Sequence, residues 1–261
     1  MRQNGSVKPT SNYAKSLLKA TGNPPTIDVA VGMLVSELLR DVSTAPTDLD
    51  ALGSRLDIMD CRAENIPFSG ELRRNGKRLE IVYSIHLSDE RRRFTIAHEM
   101  GHALLERAGK RLPHSGTEVE RLCDKFAAEI LMPRDRFLET IGSTLTIERL
   151  FDLKRAFQVS LNAISLRCFE LKRDSVFEVE KDSILWGSGI VKKGPVDLVE
   201  SGIRLGIDSA AESERGNQEI YFNDKGNTHR GELEWSRRSR GRTLFILRSN
   251  NKCLTVTAPL C

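Results

Sequence analysis

Five residues in a row, His98-Glu99-Met100-Gly101-His102, have the types and spacing of a metal site. On a helix, side chains at i and i+4 lie one turn apart on the same face. Both imidazoles can then reach one ion at about 2.0–2.1 Å. Glu99 follows the first histidine and points to the adjoining side, next to the remaining coordination position. A carboxylate there can take a proton from a water that the ion polarises, and zinc lowers the pKa of such a water to about 7. The chemistry offered is hydrolysis, with Glu99 as general base. The bland alternative is two core histidines satisfied by hydrogen bonds and a solvated Glu99. The flanking Ile96, Ala97, Met100, Ala103, Leu104 and Leu105 are apolar, so the three polar groups stand out against a mostly buried helix.

Two histidines need a third protein ligand and an open position. The next helical segment carries Glu118, Glu120, Asp124 and Glu129. Glu120 and Asp124 are i and i+4 and share a face. Glu129 lies nine residues from Glu120, which turns it to roughly the opposite face at about 100° per residue. The economical assignment makes Glu120 the third ligand and Asp124 an acceptor for the free N–H of a ligand histidine. Both acids also fit a solvated helix surface, and both readings stay open here.

Several elements must hold these residues. Ile27, Val31, Leu34, Val35 and Leu38 recur at helical spacing, with Asp28 a candidate N-cap. Asp48 to Leu56 reads as a short helix. Gly70 to Ile85 reads as a hairpin turning at Asn75-Gly76. Asp89 to Arg107 is the helix of the histidines, punctuated by Gly109 and Pro113. Thr117 to Leu131 is a further strong helix closed by Pro133. Ile147 to about Lys172 is helical with a break at Val159-Ser160. Beyond Arg173, segments 176–179, 183–186, 219–222 and 243–247 look like short strands between turns.

The chain has 261 residues, 39% of them hydrophobic, enough for a sizeable core. A net charge of +4 over this length indicates neither nucleic acid nor a membrane surface. Cys61, Cys123, Cys168, Cys253 and Cys261 form no CxxC pair and suit a reducing compartment. No signal peptide and no stretch of ~20 apolar residues is apparent. These features lead to the expectation of a cytoplasmic protein.

The stretch from Arg91 to Leu105, of form R-x-R-F-T-I-A-H-E-x-G-H-x-L-L, is followed by E-x-x-x-D-x-F-A-A-E-I-L-M-P from Glu120 to Pro133. Together they resemble the ImmA/IrrE family of zinc-dependent metallopeptidases. The resemblance runs from about Ile27 to Leu171. It implies an α+β fold: a mostly helical, thermolysin-like minimal metallopeptidase domain with a small antiparallel sheet, here followed by a small β-rich C-terminal domain. It implies His98, His102 and Glu120 as ligands of one Zn2+ (or Mn2+), Glu99 as general base and Asp124 as the orienting residue. It also implies a site-specific endopeptidase that cleaves a helix-turn-helix transcriptional repressor in a stress or mobile-element response. Met100 stands where the family usually has Leu or Ile, Cys123 where Ala is commoner, and Asp124 where Asn is common. Cys123 reads as a small buried hydrophobe or as a redox-sensitive thiol beside the metal. The expected organisation is a flexible arm over 1–25, the peptidase domain over 26–140, a helix-turn-helix-like extension over 141–175 and the β-rich domain, of unknown role, over 176–261.

Other features have bland readings beside functional ones. The helices either side of Val159-Ser160 resemble a DNA-binding turn, but helices closing a core explain them better. Arg91-Arg92-Arg93 pair with acids, line a cleft or are solvated. Arg237, Arg238, Arg240 and Arg242 read as a solvated loop ahead of a nucleic-acid contact. Tyr83, His86 and His114 are candidates for stabilising an oxyanion, with no basis for choosing among them. His229 reads as part of a polar loop. The rival to the peptidase is a non-catalytic regulator that binds a repressor or DNA around a structural or vestigial metal site.

Overall fold

The computed structural model describes residues 12–42, 45–76, 78–109, 116–172, 174–181, 183–191, 193–196, 201–210, 213–224 and 227–250. The chain divides into two compact units, Met1–Phe137 with Ala156–Val159, and Leu138–Arg155 with Ser160–Cys261.

The first unit begins with helix α1, Asn12–Ala20, within the stretch expected to be a loose arm. Its Leu17 is buried, which explains why the segment is ordered against the core. Helix α2, Ile27–Leu38, buries Ala30, Val31, Val35 and Leu38. Its N-cap is Thr26, whose side chain accepts from the Val29 N–H, not the expected Asp28. Asp28 is free to take Lys125 at 2.5 Å instead. Helix α3, Leu49–Arg55, is capped by the Asp48 carboxylate, which accepts from Asp50 and Ala51.

Strands β1 (Ile58–Glu64), β2 (Gly70–Asn75) and β3 (Arg78–Ser84) form a sheet of order β1-β3-β2. The β2–β3 hairpin closes at Asn75–Arg78, with Gly76 at φ 64°. The sheet is mixed, not antiparallel throughout: β1 runs parallel to β3. Sequence patterning missed β1 because it buries only Ile58 and alternates poorly. Helix α4, Asp89–Gly109, carries the histidines, and helix α5, Thr117–Leu131, packs along it. Val119, Leu122, Cys123, Phe126, Ala127, Ile130 and Leu131 form the buried face of α5. Helix α6, Arg134–Ile141, follows Pro133.

In the second unit, helices α7 (Ile147–Phe157) and α8 (Leu161–Lys172) precede a six-stranded antiparallel sheet. Its strands are β4 (Ser175–Glu180), β5 (Ser183–Gly187), β6 (Gly194–Pro195), β7 (Arg215–Asp224), β8 (Asn227–Arg237) and β9 (Arg242–Asn250), in the order β6-β5-β4-β9-β8-β7. Helix α9, Ser201–Ala210, lies on β7 and β8 and buries Ile203, Ile207 and Ala210 among Ile220, Phe222, Leu233 and Trp235. A side chain at Gly206 would meet Leu233 at 2.5 Å, so glycine is what lets α9 seat. The fold is thus α+β, a helical region with a small mixed sheet followed by an antiparallel sheet region.

Helix α8 packs on β4 and β5 and buries Leu161, Ile164, Ser165, Arg167 and Cys168. Its exposed positions are Asn162, Leu166 and Glu170, which present no cation to a phosphate backbone. The arginines expected to form a loop lie around a tight turn between β8 and β9. There Arg238 reaches the buried Glu178 carboxylate at 2.7 Å and Arg242 reaches Glu180 at 3.0 Å. His229 is on β8, its ring stacked on Phe222 at 5.5 Å. Among the described residues, no helix is long and apolar enough to cross a membrane.

Candidate metal centre

Glycine sets the separation of α4 and α5. A Cβ at Gly101 would stand 3.0 Å from Cys123 Cα and 3.1 Å from Phe126 Cβ. Gly101 therefore lets the α5 backbone lie against α4 between the two histidines. That approach carries Glu120 and Asp124, one turn apart on α5, to the imidazoles. His98 Nδ1 is 2.9 Å from Asp124 Oδ1, and His98 Nε2 is 3.2 Å from Glu120 Oε2. His102 Nε2 is 3.7 Å from Glu120 Oε1. The two rings meet edge-on with centroids 5.2 Å apart.

These separations fit a metal ion. Two donors about 2.0–2.2 Å from a tetrahedral ion stand roughly 3.4 Å apart, and 3.2 and 3.7 Å bracket that value. The donor chemistry agrees, since imidazole and carboxylate are zinc ligands. Among the described residues, His98, His102 and Cys123 each offer a donor atom within 4.8 Å of the other two. Glu120 is outside that grouping and approaches the imidazoles with a different oxygen for each. The structure therefore brings together every expected site residue and adds Cys123 among the donors.

Glu99 is buried at 7% exposure. Burial pushes its carboxyl up to about 7; the His98 charge and a backbone N–H from Leu72 work against the rise, while Glu120 and Glu71 add to it. Strand β2 supplies that N–H. It lies close to α4 because Gly70 has no side chain: a Cβ there would stand 2.4 Å from Thr95 Cγ2. Arg74 on β2 also binds Glu106 on α4. For His98, burial opposes the charged ring, but the Asp124 hydrogen bond and the charges of Glu99, Asp124 and Glu120 outweigh it, and its pKa is raised. Burial, with Glu120, Glu99 and Asp124 adding, pushes the Cys123 thiol well above its ordinary range.

The remaining candidates lie elsewhere. Glu129, excluded as a ligand by helical phase, accepts the Arg134 N–H at the start of α6. Arg92 pairs with Asp89, Arg93 donates to the Thr47 carbonyl, and Arg91 lies over the Phe94 ring. His86 Nε2 is 3.2 Å from the Asn65 side chain, Tyr83 is on central strand β3, and His114 lies outside the described residues.

The sequence matches the profile of the IrrE N-terminal-like domain over residues 50–169. No curated protein matches it significantly. Among solved structures, a Mycobacterium tuberculosis transcriptional regulator is similar at 15% identity and a TM-score of 0.46, over 95% of this chain and 98% of that one. The stretch that carries His98, Glu99, His102, Glu120 and Asp124 thus lies within the residues, 50–169, that match the IrrE N-terminal-like domain of the M78 peptidases.

Proposed function

We propose that the chain is a zinc-dependent endopeptidase that cleaves a helix-turn-helix transcriptional repressor at a specific site, in a stress or mobile-element response. The observation that carries this reading is the buried Glu99 carboxyl beside the convergent His98, His102 and Glu120. A structural site has no use for a buried base at its edge. A bound zinc ion polarises a carbonyl and lowers the pKa of a water.

The protein residues supply the rest. Asp124 engages His98 Nδ1, which orients the ring and turns Nε2 to the site. Glu99, whose carboxyl lies near neutrality, accepts a proton from the attacking water and returns it to the leaving nitrogen. Strand β2 is a sheet edge, and it is the strand that touches Glu99. An extended peptide added to that edge would lie alongside the base. The repressor as substrate rests on family resemblance.

The test incubates the zinc-loaded chain, and its Glu99→Ala variant, with helix-turn-helix repressors from the same genome. The parent is expected to cut one of them at a single site, and the variant to lose about 10²–10⁴-fold in rate. Failure of the parent on every candidate would sink the specific reading. Full activity in the variant would sink the role of Glu99.

A further inference from the structure

Cys123 lies on the same face of α5 as Glu120 and Asp124, at positions i, i+3 and i+4. It is a free cysteine with 0% exposure. The close approach at Gly101 puts its backbone against α4 at the residue between the histidines, with Cys123 Cβ 3.3 Å from where a Gly101 side chain would begin. Its sulfur, one nitrogen of His98 and one of His102 lie within 4.8 Å of one another. Zinc is borderline-soft and takes thiolate at about 2.3 Å as readily as imidazole. A dication also answers the cost of a thiolate placed among Glu99, Glu120 and Asp124.

We propose that Cys123 is a donor to the metal, so that His98, His102, Glu120 and Cys123 together close the resting site with four protein ligands. This rests on the metallopeptidase reading and adds a latent state to it. A site with four protein donors has no position for a reacting water, whereas a catalytic one keeps a position open. The sulfur must therefore leave before hydrolysis can begin. Ligation releases the thiol proton to solvent and departure takes one back, so no oxidant or reductant is needed.

The experiment adds Co2+ to the metal-free full-length chain and records its absorption spectrum. The expected result is a near-ultraviolet sulfur-to-cobalt charge-transfer band together with the visible ligand-field bands. Cys123→Ser and Cys123→Ala should each lose the first and keep the second, and should bind Zn2+ at least about tenfold more weakly. Circular dichroism of both variants guards against a folding loss in one of them. Ligand-field bands without the charge-transfer band in the parent overturn the proposal. So does a charge-transfer band that survives both substitutions, because the sulfur would then belong to another cysteine. A parent chain that binds no cobalt and no zinc overturns the metallopeptidase reading itself.

Discussion

His98 meets a carboxylate at each ring nitrogen, Asp124 at Nδ1 and Glu120 at Nε2. Each of these contacts needs a proton, which accounts for the raised pKa of His98 in the metal-free chain. A dication would take the place of the proton at Nε2 and leave the one that Asp124 holds at Nδ1. Asp124→Ala should therefore fold, keep both histidines and bind Zn2+ about 10- to 100-fold more weakly, as read by competition with a chelating dye. An unchanged affinity would show that Asp124 is only solvated surface. Glu99 makes a separate prediction about pH. Its folded pKa, about 7, lies above the ordinary 4.5, so the folded chain binds more protons than the unfolded one between those values. The stabilisation is fully present below about 4.5 and is lost as pH rises through about 7. From this group alone the metal-free chain should lose on the order of 3 kcal/mol across that window. Urea unfolding at stepped pH should show Glu99→Gln with a flatter profile than the parent. Parallel profiles would argue against a buried, raised carboxyl.

At the scale of elements, the contact between α4 and α5 at Gly101 governs the centre. Gly101→Ala would push a methyl group against the Cys123 and Phe126 backbone region, where neighbours cannot rotate away. The expected cost is about 1–3 kcal/mol of stability, accompanied by a fall in Zn2+ affinity, because Glu120 and Asp124 retreat with α5. Calorimetry with and without zinc measures both; a variant that loses stability but keeps full affinity would uncouple the helix spacing from the site. The bounds of α5 were legible in the sequence because an apolar stripe runs through Val119, Phe126 and Ile130 and Pro133 ends it. His98, Glu99 and His102 were legible from spacing alone. Cys123 as a donor was not, because its place depends on a tertiary approach that only Gly101 hints at. The shorter elements hid for separate reasons. Strand β8 has charges at Arg230, Glu232 and Glu234 and reads as a loop, yet Arg230 pairs with Glu219, and Glu232 and Glu234 pair with Arg248. Helix α9 has apolar residues at helical spacing, but Gly202 and Gly206 mask its propensity.

At the scale of the molecule, each unit draws its core from residues far apart in sequence. In the second unit β4 sits inside the sheet, between β5 and β9, and its Ser175–Val179 are buried. Glu178 is nearly inaccessible there, yet it is satisfied by the Trp186 indole at 2.9 Å and by Arg238. In the first unit α1 and α2 pack on α4 and α5. The family match spans residues 50–169 and so follows neither unit. A fragment cut to those limits would strip α1 and α2 from the metal-site helices. It would also cut α8 short and leave it without strands β4 and β5, on which it packs. Such a fragment is expected to elute as aggregate in size-exclusion chromatography and to unfold without a cooperative transition, unlike the full chain; a monomeric, cooperatively unfolding fragment would overturn this. Because β4 lies inside its sheet and α8 packs on it, a cut at residue 169 falls within α8 and removes the strands that α8 covers, so the limits of the recognisable motif are not limits of a folding unit.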